Sequence, residues 1–142
     1  MEAIKAPEGM KFSKSLDDCH ESIRRAFPTV RGQFTKEFPR HDLKVDYTYR
    51  SPELQMALYL EGRTLENGYW VISDPKAVVT NQDGSNKKSH HNVYPSQAAD
   101  IYITKDGIIL WPDANNDAVT SLYTALGNLW TAQGLICGAT WK

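Results

Sequence analysis

The sequence predicts an α+β fold, with a small, mainly antiparallel sheet and packed helices in a single domain spanning residues 1–142. Several stretches repeat apolar residues every three or four positions, as one face of a helix does. Other short stretches alternate apolar and polar residues, as half-buried strands do. The two kinds of stretch are interspersed along the chain, and one pair of predicted strands is joined by a tight turn, which favours the α+β class.

Composition excludes several classes of partner. A chain of 142 residues with 41% hydrophobic and 23% charged residues can bury a core of ordinary size. Its 16 Lys and Arg against 17 Asp and Glu give a net charge of −1. This balance offers no electrostatic basis for binding nucleic acid or an anionic membrane. We therefore expect neither as a partner.

The N-terminal residues lack the apolar core of a secretion signal, and no stretch approaches membrane-spanning length. We expect the protein to be made in a cytoplasm and to stay there unless something else releases it.

Cys19 and Cys137 are far apart and form no metal-type pair. Two buried thiols are the favoured interpretation, and one disulfide is the alternative.

The first half of the chain predicts two or three helices and one strand. Ser15 can cap a helix whose apolar face ends at Phe27, with Pro28 as its stop. Residues 29–42 contain apolar positions spaced four apart and predict a short helix. Residues 43–49 alternate and predict a strand with Leu43, Val45, Tyr47 and Tyr49 on its buried face. A cap residue, a proline and an acid at residues 51–53 start another helix, which Gly62 ends.

The second half predicts a hairpin and a long helix. Residues 63–75 are irregular, residues 77–80 form a candidate strand, and residues 81–88 form a polar loop. A strand at 99–104, a turn at 105–107 and a return strand at 107–111 follow. The longest helix covers residues 115–133 and ends at Gly134, and residues 135–141 form a last strand.

A stretch from Ser89 to Asp100 is the first candidate site. It places His90, His91 and a carboxylate within twelve residues, in a chain that has only four histidines. Imidazole and carboxylate groups are zinc ligands, and a loop leading into a strand can bring them together. The alternative is a polar loop in which Asp100 merely opens the strand. These residues alone favour neither interpretation.

A second candidate site lies where the 43–49 strand meets the next helix. Arg50 stands at this junction, and Gln55 follows one helical turn later. Together they can hold a carboxylate or amide by charge-assisted hydrogen bonds. A surface salt bridge from Arg50 is the favoured alternative when this segment is considered alone. Arg63, which follows the helix stop, is predicted to be solvated.

Taken together, these segments resemble a known family. Tyr49-Arg50-Ser51-Pro52-Glu53-Leu54-Gln55, Gly62-Arg63-Thr64, Val78-Val79-Thr80-Asn81 and Ser89-x-His91-Asn92 occur in this order, followed by Pro95-Ser96-x-Ala98-x-Asp100. The chain from about residue 10 to 142 is similar to the zinc peptidases that comprise D-alanyl-D-alanine carboxypeptidases and phage L-alanyl-D-glutamate endopeptidases. These enzymes cut peptides of bacterial peptidoglycan, and the phage endolysin branch is the most similar.

The resemblance implies roles for the matching positions. His91 would be the first zinc ligand and Asp100 the second, whereas His90 occupies a variable position. Arg50 would be catalytic, binding substrate and stabilising the developing oxyanion, with Gln55 and Ser89 among the substrate-binding residues. Zinc would polarise the scissile carbonyl and lower the pKa of its bound water.

The sequence departs from the family at its end. The resemblance implies a third ligand, a histidine preceded by an acidic general base, beyond the segment that corresponds to Gly138-Ala139-Thr140-Trp141. The sequence stops at Lys142. With His91 and Asp100 as its only protein ligands, zinc would bind weakly, because catalytic sites keep three protein ligands.

Three hypotheses follow. The first is a phage peptidase of peptidoglycan stem peptides whose chain is incomplete here. The second is a catalytically silent relative that serves as a virion component, in contact with other virion proteins, or as a cell-wall-binding module. The third is a domain unrelated to zinc. Under the first hypothesis the protein would accumulate in the host cytoplasm before lysis or be carried in the virion.

Overall fold

The computed structural model describes residues 5–84 and 89–135. Within these ranges the helices are α1 (Glu21–Glu37), α2 (Pro52–Leu60) and α3 (Asp117–Ala132), and the strands are β1 (His41–Val45), β2 (Arg63–Glu66), β3 (Tyr69–Ile72), β4 (Ile101–Lys105) and β5 (Ile108–Leu110). The predicted α+β class is confirmed, and every strand pair between these elements is antiparallel.

Contacts between residues divide the chain into two compact units. The first consists of the described residues of Met1–Cys19 and Tyr47–Ala99, and the second of those of His20–Asp46 and Asp100–Lys142. The first unit contains α2 and the β2–β3 hairpin. The second contains α1, α3 and a three-stranded sheet in the order β1-β4-β5. The expectation of a single domain stays a prediction.

The sheet of the second unit is built around β4. Leu43 of β1 and Leu110 of β5 both pair with Ile103, which is fully buried. The predicted turn between β4 and β5 is confirmed, because Asp106 and Gly107 both have positive φ, at 52° and 83°. Two such residues in succession match the right-handed twist of a two-stranded ribbon.

Helix α1 contradicts the prediction that Pro28 ends the first helix. The chain forms a short 3-10 turn at Leu16–Asp18, capped by Ser15, and then a single α-helix from Glu21 to Glu37 that passes through Pro28. Pro28 is exposed, and a buried stripe runs along the opposite face: Ile23, Ala26, Phe27, Val30 and Phe34. An interior proline costs about 3 kcal/mol. Each large apolar side chain in the stripe contributes about 1.5–3 kcal/mol, so burial outweighs the proline.

Helix α3 confirms the predicted long helix to within two residues at each end. The Asn116 side chain accepts from Val119 N–H at 3.1 Å, and Gly134 follows with φ of 82°. Tyr123 of α3 bridges β4 and β5 at one end of their pairing, because its hydroxyl accepts from Ile103 N–H at 3.1 Å and donates to the Leu110 carbonyl at 2.6 Å. Burial raises the pKa of Tyr123. The predicted final strand and Cys137 lie outside the described residues, except for Leu135.

Two predictions for the first unit are wrong. Residues 63–75, predicted to be irregular, contain the β2–β3 hairpin, whose turn residues Asn67 and Gly68 have φ of 50° and 82°. An Asn-Gly pair is the commonest signal of such a turn and was visible in the sequence. The predicted strand at 77–80 is absent from the described structure: Asp74 caps a 3-10 turn at Pro75–Ala77, and residues 78–80 lie in no strand of the described ranges. By contrast, α2 starts at Pro52 with Ser51 as its cap, as predicted.

The predicted strand at 43–49 is shorter than expected. It ends at Val45, and Thr48, predicted on the polar face, is completely buried. Residues 48 and 49 instead pair with an earlier segment of the first unit: Thr48 N–H donates to Ser13 O and Ser13 N–H to Tyr49 O, both at 2.9 Å. Alternation is therefore interrupted after β1, and the consecutive residues Thr48 and Tyr49 are both buried.

Candidate functional site

His91 lies in a single 3-10 turn, His90–Asn92, in the first unit. The Ser89 hydroxyl accepts from His91 N–H at 3.2 Å, and Asn92 Oδ1 accepts from Ser89 N–H at 2.9 Å. This reciprocal pair of bonds is a capping box, which satisfies backbone donors that a short helix leaves open. Ser89 and Asn92 therefore shape the turn through hydrogen bonds, and the substrate-binding role expected for Ser89 stays a prediction.

The same turn is bonded on two sides to Arg50. Arg50 N–H donates to the His91 carbonyl at 2.9 Å, and Asn92 Nδ2 donates to the Arg50 carbonyl at 3.0 Å. Two of the segments that carry the family resemblance are thus in contact although about forty positions separate them. The distance between the Arg50 and His91 backbones is fixed by this pairing.

The orientation of the His91 ring is set by a carbonyl group. His91 Nδ1 lies 2.7 Å from Thr48 O, and both residues are buried. A carbonyl oxygen only accepts hydrogen bonds, so the proton of the neutral ring is on Nδ1 and the lone pair is on Nε2. Metal-binding histidines show this arrangement, in which the ring nitrogen opposite the ligand atom donates to a carbonyl or carboxylate.

Two residues that support His91 were missed in the sequence. Thr48 supplies the carbonyl, and Ser96, with no exposed surface, places its Oγ 2.7 Å from the same oxygen. Ser96 Oγ also accepts from Ala98 N–H at 3.2 Å. Ser96 stands within the Pro95–Asp100 motif, so its position was a signal. Thr48 contributes only its main-chain carbonyl, and nothing in the identity of its side chain indicates that role.

The two adjacent histidines have different environments. His90 is exposed, and its Nδ1 lies 3.4 Å from Gln97 Oε1, whereas His91 is 8% exposed. Their separation follows from the tight turn, which directs consecutive side chains to different sides. The pair therefore provides two chemically identical groups, one held by the fold and one at the surface.

The Arg50 side chain packs against an aromatic ring. Its guanidinium carbon lies 5.8 Å from the Tyr47 ring centroid, and its Nε is buried without a hydrogen-bond acceptor. Within the part of the chain that is described, Arg50 forms no ion pair, so the salt-bridge alternative finds no partner there. Its predicted contact with substrate stays a prediction.

Gln55 holds a loop of the first unit. It is 1% exposed, and its amide nitrogen donates to Gln82 O at 2.9 Å and to Thr80 Oγ1 at 3.3 Å. Gly84 closes the same loop, because a Cβ at that position would come 2.8 Å from Pro52 O. The substrate-binding role expected for Gln55 stays a prediction, and its visible role is to anchor residues 80–84 on α2.

Arg63 is not the solvated residue that we expected. Its guanidinium donates to Thr80 O at 2.9 Å and Asn81 Oδ1 at 2.8 Å, and it lies 4.0 Å from the Tyr59 ring centroid. The preceding Gly62 has φ of 79° and lies so close to Asp74 O that a Cβ would come within 2.6 Å of it. The Gly62–Thr64 and Val78–Asn81 segments of the resemblance are therefore also in contact.

Asp100 belongs to the second unit and directly precedes β4. Its carbonyl oxygen accepts from Asp46 N–H at 2.8 Å, which extends the β1–β4 pairing by one residue. Its predicted role as a zinc ligand stays a prediction. Among residues 5–84 and 89–135, no group of three His, Cys, Asp or Glu side chains is placed to hold a metal ion.

The thiol of Cys19 is buried in the first unit, with Sγ 4.0 Å from Ala98 O.

None of the helices in the described ranges has both the length and the apolar character that a membrane span requires. In comparison with known proteins, the chain matches no protein-family model and no curated protein. The family resemblance stays a prediction from the sequence.

Proposed function

We propose that this protein is a phage-type, zinc-metallopeptidase-like protein that acts on the stem peptides of bacterial peptidoglycan, as an endolysin or a virion-associated cell-wall hydrolase. The observation that carries the proposal is the buried His91 ring, whose Nδ1 is 2.7 Å from Thr48 O. Because Nδ1 donates to this carbonyl, Nε2 of the neutral ring carries the lone pair, as it does in metal-binding histidines. The capped turn holds the ring in place.

Four segments of the resemblance assemble in pairs within the first unit, which further supports the proposal. The Arg50 segment is bonded to the His91 turn, and the Arg63 segment is bonded to residues 80 and 81. Because catalytic groups need positions fixed to within a fraction of an ångström, such pairing is typical of a functional site.

The geometry of His91 supports a zinc-binding role. The described residues do not supply a complete set of zinc ligands. His91 would hold the ion, with Asp100 as the second ligand that the resemblance implies. When bound, zinc supplies a Lewis acid that polarises a peptide carbonyl. Among residues 5–84 and 89–135 no group of three His, Cys, Asp or Glu side chains is placed to hold a metal ion, so we assign no catalytic step to the ion.

Arg50 would bind and orient the substrate. Its backbone is bonded on both sides to the His91 turn, so a peptide carboxylate or carbonyl held by the guanidinium would be kept at a constant distance from His91. Arginine suits this task because its planar group donates two parallel hydrogen bonds and stays charged at every physiological pH.

Digestion of purified peptidoglycan tests the proposal. The protein is incubated with sacculi and zinc, and released fragments are identified by mass spectrometry. We expect new amino termini from stem peptides, and a large loss of product for Arg50→Ala. Sacculi that sediment with the protein but yield no fragments, with or without zinc, would rule out the hydrolase.

That last outcome would instead favour a catalytically silent relative that serves as a virion or cell-wall-binding protein. One observation favours this second candidate, namely that the described ranges contain no three-residue metal group. It predicts cosedimentation with sacculi that is unaffected by chelators. Absence of both cleavage and cosedimentation would contradict both candidates.

A further inference from the structure

The inference concerns a closed set of hydrogen bonds in the first unit, which we call the Asp18 cycle: Ser13, Asp18, Thr48 and Ser96. Thr48 N–H donates to Ser13 O at 2.9 Å, and Thr48 O lies 2.7 Å from Ser96 Oγ. Ser13 Oγ donates to the Asp18 carboxylate at 2.5 Å, and Ser96 N–H donates to the Asp18 carbonyl at 2.7 Å. Asp18 therefore joins the two residues that hold the backbone of Thr48.

The Asp18 carboxylate is itself held on both oxygens. The Tyr94 hydroxyl donates to its second oxygen at 2.6 Å, and this bond raises the pKa of Tyr94. The Tyr94 ring meets the buried Tyr49 ring edge-on at 5.5 Å, and the Tyr49 carbonyl accepts from Ser13 N–H at 2.9 Å. Because hydrogen bonds from hydroxyl groups to a carboxylate are short and strong, Asp18 links residues 13 and 94 firmly.

The Asp18 cycle bears on His91 because Thr48 O is the atom that faces Nδ1 of its ring, at 2.7 Å. The Ser96 hydroxyl has one proton, and Ala98 O is as close to its oxygen as Thr48 O is. The position of the Ser96 backbone therefore decides whether this proton reaches Thr48, and that backbone is bonded to Asp18. A shift of Thr48 O would weaken the contact that selects the tautomer of His91, since hydrogen bonds depend steeply on geometry.

We propose that Asp18 is a positioning residue for His91, which keeps the Thr48 carbonyl in place and so holds the ring proton on Nδ1. The consequence for zinc rests on the proposed function, because a metal bound by Nε2 requires the lone pair on that nitrogen. The family resemblance assigns no role to Asp18, which lies far from the candidate site in sequence.

The test uses the zinc-free protein with ¹⁵N-labelled histidine, above about pH 8, where the imidazole rings are neutral. The chemical shifts of the ring nitrogens distinguish N–H from lone-pair nitrogen, and His91→Ala identifies the signals of His91. We expect the parent protein to carry the proton on Nδ1 alone and Asp18→Ala to show a mixture of tautomers. Zinc affinity should fall by about three- to tenfold, less than the 10- to 100-fold typical for direct partners of a metal ligand.

Matched variants separate positioning from charge and stability. Asp74→Ala removes an equal charge and a side-chain cap from an exposed turn of the same unit, and should change neither the tautomer nor the zinc affinity. Asp18→Asn should keep the single tautomer and bind zinc within about twofold of the parent, because an amide can bond to both hydroxyl groups.

Ser96→Ala opens the Asp18 cycle at another point and decides the question if Asp18→Ala does not fold. It should produce the same mixture of tautomers. The effects of the two substitutions should not add, because residues in one hydrogen-bond network are coupled. The double variant should bind zinc no more than about twofold more weakly than the weaker single variant.

The proposal is overturned if Asp18→Ala and Ser96→Ala both keep the proton of His91 on Nδ1 alone, or if Asp74→Ala shifts it equally. This outcome is separable from that of the proposed function. A mixture of tautomers in Asp18→Ala, from a parent that neither cleaves nor sediments with sacculi, would keep the positioning role and reject the cell-wall role. Cleavage by the parent, with an unchanged tautomer in Asp18→Ala and Ser96→Ala, would do the reverse.

Discussion

Asn92 joins the histidine turn to Arg50 through both ends of its side-chain amide. Oδ1 accepts from Ser89 N–H and Nδ2 donates to the Arg50 carbonyl. A side-chain amide offers a donor and an acceptor on two separate atoms. Asn92 therefore joins the turn to the Arg50 segment, in addition to the backbone bond from Arg50 N–H to the His91 carbonyl.

Replacing Asn92 with alanine should destabilise the protein by about 1–3 kcal/mol, because it leaves a backbone donor and a backbone acceptor without partners. Urea unfolding measures the difference. Asn115→Ala, at an exposed turn, is the matched control and should change stability by less than about 0.5 kcal/mol. Equal effects of the two substitutions would show that the amide does not hold the turn.

An exposed ion pair of the second unit gives a pH-dependent prediction. The hydrogen bonds from Arg31, at 2.8 Å to each carboxylate oxygen, hold the pKa of Asp42 below its ordinary value. A lowered pKa in the folded state means that the pair stabilises the fold above about pH 4 and that this contribution disappears as the pH falls through the folded pKa.

We therefore expect Asp42→Asn to unfold more readily than the parent protein at pH 7. The difference should be at most about 1 kcal/mol, because solvent screens the partly exposed pair. The two proteins should converge in stability as the pH is lowered from 5 to 2. Thermal unfolding across this pH range measures the difference in stability, with Glu66→Gln as an exposed control. A difference that grows toward low pH would contradict the assignment.

At the scale of elements, local signals predicted well where one or two residues determine the conformation. The cap and proline at residues 51 and 52 start α2, and the pair Asp106-Gly107 makes the β4–β5 turn. The Asn67-Gly68 turn has equally clear chemistry and was overlooked. Predictions failed where packing overrides a local preference, as at Pro28, or where the chain changes its pairing partner, as at Thr48.

Pro28 is the clearest case and can be tested. Pro28→Ala should raise stability by about 1–2 kcal/mol, since it restores a helical N–H and removes a ring clash, while the unfolded chain gains entropy. Guanidinium unfolding checks this. Pro52→Ala is the matched control, because proline suits the first helical position and its loss should be neutral or slightly destabilising. A destabilised Pro28→Ala would mean that α1 requires the proline.

For the whole molecule, the sequence identified the segments of the candidate site and their order, but not their supporting atoms. His91, Arg50 and Asn92 could be chosen because side chains carry their chemistry. The Thr48 carbonyl could not, since every residue has one and only the fold selects it. Gln55 and Arg63 were recognised as special positions, yet their hydrogen bonds to residues 80–82 depend on a loop conformation that no local pattern specifies.

The adjacent histidines allow the most direct test of zinc binding at His91. Thermal unfolding is followed as zinc is added to the parent protein and to His91→Ala and His90→Ala. A ligand at 100 times its dissociation constant stabilises a fold by about 2.7 kcal/mol. We predict that zinc stabilises the parent and His90→Ala proteins alike and leaves His91→Ala unchanged. Equal stabilisation of all three proteins, or of none, would contradict a zinc site at His91.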